Sequence, residues 1–490
     1  MGRHGLVTAR RLCRAGLVAA LGWACVVSAQ DPAPSREEAL LNRVEQLEAR
    51  IAELEQRLAQ QAPEAPPAAE LEQRIEKVEQ ALEAEADKPA SDFRTYWKDG
   101  LRFETEDGRF KLRIGGRLQC DWAFYHQDRD LKHAVGDEQD GAEFRLARIR
   151  LEGTLYGDVV FRSEYDFAGN DGDAKFKDVY LGLQHLPWVG NVKVGHIREP
   201  FGLERCTGVS EHTFMELALP CVFAPNRNLG VLLHNDVLDS RATWAIGAFK
   251  EVDDFPSDDD SDEDQGYAVT ARITGLPWYR DEGRRLLHLG VAYSHRNPDG
   301  DDLGGPIAGW QTRPESHLAN RYVNTDAGAI EGYRIVDTRL DDIDLFGAEA
   351  ALIWGPLSVQ GEYMAAAVDS DFAGHLGFDG YYVQAGYFLT GEHRPYKNAA
   401  GVFGRVHPKR NFSLKGERGW GAWELAARYS ALDLNDGAVR GGEEQNVTIG
   451  LNWYLNPCTR IMWNYVRADV DHDLYEGNVD IFQTRFQVDF

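Results

Sequence analysis

The sequence predicts an all-β fold, a roughly 16-stranded antiparallel transmembrane β-barrel with a short helical or coiled-coil segment in front of it. After residue 110 the apolar residues recur with a period of two, as they do along a β-strand with one apolar face. Short turns alternate with long polar loops, and the sequence ends on Phe490 in a strand of this kind. After the N-terminal region no apolar run reaches the about 18 residues of a membrane-spanning helix, so the strands are expected to cross the membrane.

Residues 1–29 are predicted to be a secretory signal peptide. Its positive region contains Arg3, Arg10, Arg11 and Arg14, and an apolar stretch follows at residues 15–27. Val27, Ser28 and Ala29 offer a cleavage site of small residues, which gives a mature start near Gln30. The alternative is a lipoprotein acylated at Cys25, although residues 22–24 fit the required motif poorly.

Residues 30–94 are predicted to form a periplasmic coiled-coil stalk and linker. Apolar residues spaced alternately by four and three form a heptad seam, which comprises Leu40, Val44, Leu47, Ile51, Leu54 and Leu58. Prolines at positions 63, 66 and 67 interrupt the helix, and the pattern resumes in another register. Barrels that already associate could bundle such short helices, so the stalk is expected to help hold a homotrimer. A loosely helical spacer is the alternative.

Residues 95–490 are predicted to be the barrel. In residues 111–124 the apolar Ile114, Leu118 and Trp122 share one face of a strand, and Arg113 and Arg117 lie on the other. Similar alternation recurs to the end of the sequence. Short turns are expected at residues 156–158, 234–236, 354–356 and 456–457, and long external loops at 199–226, 250–265 and 296–340. Residues 392–419 fit this scheme least well and are interpreted as a long periplasmic connection.

The formal net charge of −26 argues against nucleic acid as a partner, because phosphate backbones require a basic face. No motif of a hydrolase, a metalloprotease or a nucleotide-binding loop occurs, so we expect neither an enzyme nor a cofactor. No cluster of Cys and His has the spacing of a metal site. The acidic run at residues 253–264 is expected to be a solvated external loop, with cation binding as the alternative.

Several motifs resemble the phosphate-selective porin O and P family. They are LRIGGRL (112–118), RIRLEG (148–153), VKVGHIREPFG (192–202), FME (214–216), RNLG (227–230), WELAARYS (423–430) and NWYLNP (452–457). Members of that family are trimeric, 16-stranded channels of the outer membrane, so the resemblance implies the same architecture here. The terminal Phe490 resembles the signal by which outer-membrane barrels are recognised by the barrel-assembly machinery.

Strand parity predicts that eight cationic side chains point into the lumen, and they are candidates for an anion path. These are Arg113, Arg117, Arg148, Arg150, Arg162, Lys193, Arg428 and Arg485. A guanidinium group suits phosphate because its planar fork donates two hydrogen bonds. Several carboxylates, among them Glu152, Glu164 and Asp166, share the same faces. The arginines could therefore form structural ion pairs instead.

The loop at residues 199–226 follows the fifth predicted strand and is the candidate constriction loop. Arg198, Arg205 and Arg227 lie in or beside it, with glutamates between them. Family members selective for phosphate are richer in lysine here. Cys206 and Cys221 are close enough in sequence to form a disulfide in an oxidising periplasm, or they remain two loop thiols.

These observations predict a porin of the cell outer membrane, surrounded by lipid, for passive diffusion of small hydrophilic solutes. Anions that include phosphate are the expected solutes. A non-selective channel, or one selective for sugars or peptides, is the first alternative. A barrel-anchored tether or adhesin that acts through its stalk is the second.

Overall fold

The computed structural model describes residues 48–50, 52, 77, 93–169, 174–250, 266–297, 309–325, 340–370, 374–416, 418–437 and 439–490. The chain divides into a unit of residues 1–89 and a unit of residues 90–490. In the first unit the five described residues are helical. The predicted signal peptide, the rest of the predicted stalk and the acidic run at 253–264 lie outside the described residues. No described helix is long and apolar enough to cross a membrane.

The second unit is built from β-strands with very little helix. The strands are β1 (Phe93–Trp97), β2 (Leu101–Thr105), β3 (Lys111–Gln127), β4 (Gly141–Leu155), β5 (Val159–Asp166), β6 (Lys175–Leu186), β7 (Gly190–Arg198), β8 (Arg227–Val237), β9 (Ala242–Lys250), β10 (Tyr267–Arg280), β11 (Arg285–Asn297), β12 (Gln311–Thr312), β13 (Val323–Asn324), β14 (Leu340–Trp354), β15 (Leu357–Ser370), β16 (Gly374–Phe388), β17 (Tyr396–Lys397), β18 (Val402–Phe403), β19 (Ala422–Asp436), β20 (Val439–Asn456), β21 (Thr459–His472) and β22 (Tyr475–Asp489). Two short helices are α1 (Arg129–Val135) and α2 (Leu203–Cys206).

Sixteen of these strands form a closed antiparallel barrel, which confirms the predicted fold class. They are β3–β11, β14–β16 and β19–β22. Each pairs with its neighbour along the chain, and the last strand pairs with the first, with Arg485 opposite Asp121. The hairpin β1–β2 pairs with the start of β3. At this strand number an interior remains that side chains of the wall alone cannot fill.

The alternation of side chains gives the barrel an apolar outer face and a polar inner face. Along β19 the outward Leu425 and Tyr429 are exposed, whereas the inward Arg428 and Ser430 are buried. Exposed apolar side chains of this kind recur on most of the other barrel strands, as a wall in contact with lipid requires.

The two ends of the barrel differ. Residues 156–158, 355–356 and 457–458 form short turns at the end where β3 begins and β22 ends. Short turns face the periplasm in outer-membrane barrels, so this is the periplasmic end. The turn expected at 234–236 is displaced, because His234 and Asn235 still pair with β9. The chain reverses at Leu238, Asp239 and Ser240, whose φ values are 57°, 55° and 58°.

Candidate functional site

The loop at residues 199–226, which we call the constriction loop, folds into the barrel and binds one half of its wall. Glu362 of β15 accepts hydrogen bonds from the backbone N–H groups of Leu203 (2.6 Å) and Glu204 (2.7 Å), at the start of α2. Further wall side chains donate to loop carbonyl oxygens. They are Arg428 to Glu216 (3.1 Å), Asn452 to Thr213 (2.8 Å), Arg460 to His212 (2.6 Å) and Arg485 to Met215. These donors lie on β19–β22, whereas residues of β3–β10 line the space that the loop leaves open.

A second segment, residues 309–325, packs beside the constriction loop. Its Glu315 receives hydrogen bonds from Arg428 (3.1 Å), Ser430 (2.5 Å) and Thr448 (2.6 Å). Tyr322 and Val323 are fully buried in the same cluster as Phe201 and Phe223 of the constriction loop. The sequence placed these residues in an external loop, but their polar and apolar contacts are with the barrel interior.

The connection at residues 389–421 enters the barrel from the periplasmic end. Its β17 and β18 pair with each other, and Arg272 of β10 donates to the Gly401 carbonyl oxygen (2.9 Å). Lys397 lies 3.5 Å from Glu211 of the constriction loop. The long periplasmic connection expected from the sequence is therefore present, and its first half narrows the lumen.

A cavity of about 420 Å³ remains between these segments and strands β3–β10 of the wall. Eight Arg and Lys side chains line it, against four carboxylates. The cations are Arg117, Arg150, Arg162, Lys193, Arg198, Arg227, Arg272 and Lys397, and the carboxylates belong to Glu164, Asp178, Glu199 and Glu211. The cavity is thus positively charged within a chain whose formal net charge is −26.

Four of the eight cations predicted from strand parity lie on this cavity, and they differ in how they are paired. Arg162 is 2.7 Å from Glu152, and Arg117 is 3.4 Å from Asp489. Arg150 lies 3.9 Å from Glu152. Arg113 is closer to the same carboxylate, at 2.8 Å. Lys193 forms no ion pair with any described residue, and its ammonium group lies 5.1 Å from the centre of the Tyr180 ring.

The other four predicted cations point inward but do not line the cavity. Arg113 pairs with Glu152, and Arg148 pairs with Asp166 at 2.7 Å. Arg428 and Arg485 are 2% and 1% exposed, because the constriction loop covers them. Parity predicted the face of the wall on which these side chains lie, but not the loop that removes two of them from water.

The three arginines predicted at the constriction loop have separate positions. Arg198 and Arg227 are directly paired across β7 and β8 and line the cavity. Arg227 is 2.8 Å from Asp178, whereas Arg198 donates to the carbonyl oxygens of Arg205 and Thr207 and has no described ion-pair partner. Arg205 donates to the Cys221 carbonyl oxygen (2.6 Å) and lines a second cavity of about 330 Å³.

Two cations of the cavity were missed in the sequence. Arg272 lies at an inward-facing position in the alternation of its strand, so it could have been predicted from the sequence. Its guanidinium group pairs with Glu349 at 2.6 Å. Lys397 belongs to the periplasmic connection, whose inward folding is not indicated by any pattern in the sequence.

Glu216 anchors the constriction loop to β4 and β22 of the wall. It lies 2.9 Å from Arg145 and 2.7 Å from Arg485. Burial alone would raise the pKa of this carboxyl, but the two guanidinium groups outweigh burial and hold the pKa well below its usual range. Glu216 therefore stays ionised and keeps both contacts over the physiological pH range.

The disulfide considered for Cys206 and Cys221 is not formed, and both are free thiols. The Cys206 sulfur faces the carbonyl oxygens of Glu199 and Phe201, and the Cys221 sulfur lies 3.4 Å from Glu204. Each sulfur thus has its own polar neighbours in the constriction loop.

Phe490 closes the barrel at its periplasmic end. Its backbone N–H donates to the Gly116 carbonyl oxygen (2.9 Å), and its own carbonyl oxygen accepts from the Gly116 N–H (2.8 Å). Its ring stacks on Trp97 of β1 with the ring centres 5.9 Å apart. The predicted role of Phe490 in assembly stays a prediction.

A closed barrel of this size, apolar outside and with a charged cavity left open by its inward loops, is an outer-membrane porin. The model of the family phosphate-selective porin O and P matches residues 112–490, so this chain belongs to that family, as its motifs predicted.

Two relatives match most of the chain. Porin O of Pseudomonas aeruginosa is 28% identical over 433 residues, which are 80% of this chain and 91% of that protein. An uncharacterized protein of Caulobacter vibrioides is 29% identical over 447 residues, 88% of this chain and 84% of that protein.

Solved structures of other porins have a similar chain path at low identity. An anion-selective porin from Comamonas acidovorans is 12% identical with a TM-score of 0.48, over 78% of this chain and 100% of that one. The outer-membrane channel DcaP of Acinetobacter baumannii is 13% identical with a TM-score of 0.44, over 79% and 99%.

Proposed function

We propose that this porin conducts small hydrophilic anions, phosphate among them, along the basic wall of β3–β8. The observation that carries the proposal is the twofold excess of cations over carboxylates around the cavity. In a narrow lumen with low-dielectric walls the local charges decide which ions enter, and the net charge of the whole chain has little influence. The name of the family agrees with this assignment.

The sites most available to a passing anion are Lys193, Arg150 and Arg198. The first and last have no described ion-pair partner, and the nearest carboxylate to Arg150 is 3.9 Å away. A guanidinium group offers two parallel N–H donors to an oxyanion, whereas a chloride ion uses only the charge. Phosphate should therefore bind more tightly than chloride while both pass.

The ion pairs of the remaining arginines keep such binding weak enough for transport. Ion pairs with carboxylates are formed by Arg117, Arg162 and Arg227. Each carboxylate lowers the positive electrostatic field that a passing anion meets. Conduction requires several weak sites and is slowed by one strong site. No step of this function requires a cofactor or a catalytic group.

We also assign the outer face of β5–β9 to contact between subunits of a homotrimer. The strands β5, β7 and β9 have eight or nine residues, the lower limit for crossing a bilayer, whereas β20 has 18. The exposed large apolar side chains of strands β6–β9 are all aliphatic among the described residues. The exposed aromatic residues near this face, Trp188 and Phe167, lie outside the strands, so the strand surface itself is aliphatic, which supports a protein partner on this face.

The terminal segments complete the proposal. Residues 1–29 are the signal peptide that directs export. Residues 30–94 form a stalk that supports the trimer. Phe490 is recognised by the barrel-assembly machinery. Deletion of residues 30–90 should leave conductance intact, whereas a tethering protein would lose its role.

Reversal potentials in planar bilayers under a KCl gradient test the anion path. The native protein should prefer chloride, and added phosphate should reduce the chloride current. Replacing Arg117, Arg150, Arg162 and Lys193 with Gln should lower the anion-to-cation permeability ratio. The matched control replaces the exposed Arg440 with Gln, which should leave the ratio unchanged. Cation preference in the native protein, or an unchanged ratio in the quadruple variant, would refute the path.

A further inference from the structure

The second half of the periplasmic connection leaves the lumen and lies on the outside of the barrel. We call residues 407–416 and 418–420 the rim loop. The Phe412 backbone N–H donates to the Leu455 carbonyl oxygen (2.6 Å), and the Phe412 ring meets Trp453 edge-on with the ring centres 5.0 Å apart. The Trp420 carbonyl oxygen accepts hydrogen bonds from the indole N–H groups of Trp423 (3.2 Å) and Trp453 (2.8 Å). These contacts fix the rim loop to the outer wall at the periplasmic end.

Aromatic and apolar side chains are exposed around this loop. Trp423 stacks on Trp453 and Trp463, with ring centres 5.0 and 6.3 Å apart. Trp420 and Leu414 are 71% and 81% exposed. Tryptophan is enriched where hydrocarbon meets headgroups, so these residues lie at the level of the inner headgroup layer.

The rim loop is also strongly basic. Its exposed ionisable residues include His407, Lys409, Arg410, Lys415 and Arg418. Among the residues that the structure describes, Arg410, Lys415 and Arg418 have no ion-pair partner. The Lys409 ammonium group donates to the Thr390 carbonyl oxygen (3.2 Å), which fixes its position at the rim.

We propose that the rim loop binds anionic phospholipids of the periplasmic leaflet. The cations contact the headgroup phosphates, and Trp420 and Leu414 insert among the upper acyl carbons. Two observations favour lipid over a free anion. The cations lie on the outside of the barrel, away from the lumen, and large apolar side chains are exposed beside them. Basic segments next to a membrane gain attraction to anionic headgroups with each Lys or Arg.

Native mass spectrometry of the purified, full-length protein in mixed micelles tests the proposal with phosphatidylglycerol and phosphatidylcholine as probes. One variant replaces Lys409, Arg410, Lys415 and Arg418 with Gln. The control variant replaces four exposed cations of the extracellular end, Arg129, Lys132, Arg321 and Arg440, with Gln. The native protein and the control should retain phosphatidylglycerol preferentially. In the rim-loop variant the ratio of bound phosphatidylglycerol to bound phosphatidylcholine should be at least about fivefold lower.

Three results would overturn the proposal. They are an unchanged preference in the rim-loop variant, an equal loss in both variants, and displacement of the bound lipid by excess inorganic phosphate. Single-channel conductance checks that each variant is folded. If the quadruple variant does not assemble, the double variant K415Q/R418Q replaces it, because both side chains are exposed and have no described ion-pair partner.

Discussion

Arg485 illustrates how an inward-facing residue can serve the structure of a channel without touching its solute. It is 1% exposed and holds Asp121 (2.6 Å) on the neighbouring strand and Glu216 (2.7 Å) on the constriction loop. A buried guanidinium group between two carboxylates gains little net stability from the pair itself, but its removal leaves uncompensated buried charge.

We therefore expect the substitution R485Q to destabilise the protein by about 3–5 kcal/mol. Urea-induced unfolding, measured by fluorescence, provides the value. The control is R440Q, because Arg440 and Asp473 form an exposed pair at 3.6 Å and such pairs contribute about 0–1 kcal/mol. Equal effects of the two substitutions would contradict the anchoring role of Arg485.

The thiols of the constriction loop give a second test at this scale. Burial raises the pKa of both Cys206 and Cys221, so at pH 8 both remain protonated and react slowly. We expect slow alkylation by iodoacetamide in the folded protein and rapid alkylation after unfolding in denaturant without reductant. A disulfide would block alkylation in the unfolded chain until reductant is added, and peptide mass spectrometry distinguishes the two results.

The residues of the site could be predicted only as far as strand parity reaches. Arg117 and Arg485 lie on neighbouring strands with the same inward orientation, yet one lines the cavity and the other is sealed under a loop. Alternation defines a face of the wall, because side chains of a strand alternate strictly. Which part of that face remains wet depends on loop packing between residues far apart in sequence, and a single sequence carries no periodic signal for such packing.

At the scale of elements, the inward segments decide the shape of the lumen. The constriction loop and the periplasmic connection meet there, through Lys397 and Glu211 and through a hydrogen bond from the Phe403 N–H to the Thr207 hydroxyl (3.4 Å). The connection therefore packs against the periplasmic side of the constriction loop, and it also occupies part of the lumen.

Replacing residues 396–403 with two glycines should raise the single-channel conductance, because Lys397, Ala399, Ala400 and Val402 all line the cavity. The matched control shortens the same connection at residues 413–416, which lie on the outside of the barrel. Conductance in planar bilayers should rise in the first variant and stay unchanged in the second. An unchanged conductance in both would mean that this segment does not narrow the path.

The elements themselves were largely predictable, and their inward or outward folding was not. The alternation of Leu425, Tyr429 and their neighbours identified β19 because its two faces differ in polarity. Residues 309–325 are polar like many exposed loops, and the contacts of Glu315 that fold them inward join residues more than 100 positions apart.

At the scale of the whole molecule, the barrel has one side of short strands and one side of long strands. We expect L181R on β6 to convert the proposed homotrimer to monomers in mild detergent, because Leu181 is 63% exposed on the face assigned to subunit contact. The control is I449R on β20, where Ile449 is 51% exposed toward lipid. Light scattering after gel filtration gives the mass of each. Intact trimers of L181R, or monomers of I449R, would place the interface elsewhere.

The ladder between β3 and β22 has a consequence for the biogenesis of the protein. Arg117 and Asp489, which pair across it, are 372 positions apart, so the first barrel strand acquires its final partner only when β22 has been exported. Until then both edge strands present unpaired backbone groups, and contacts of such long range form slowly. We therefore expect the newly exported polypeptide to depend on chaperones during its passage to the membrane, and removal of the last residues of β22 to direct it to degradation.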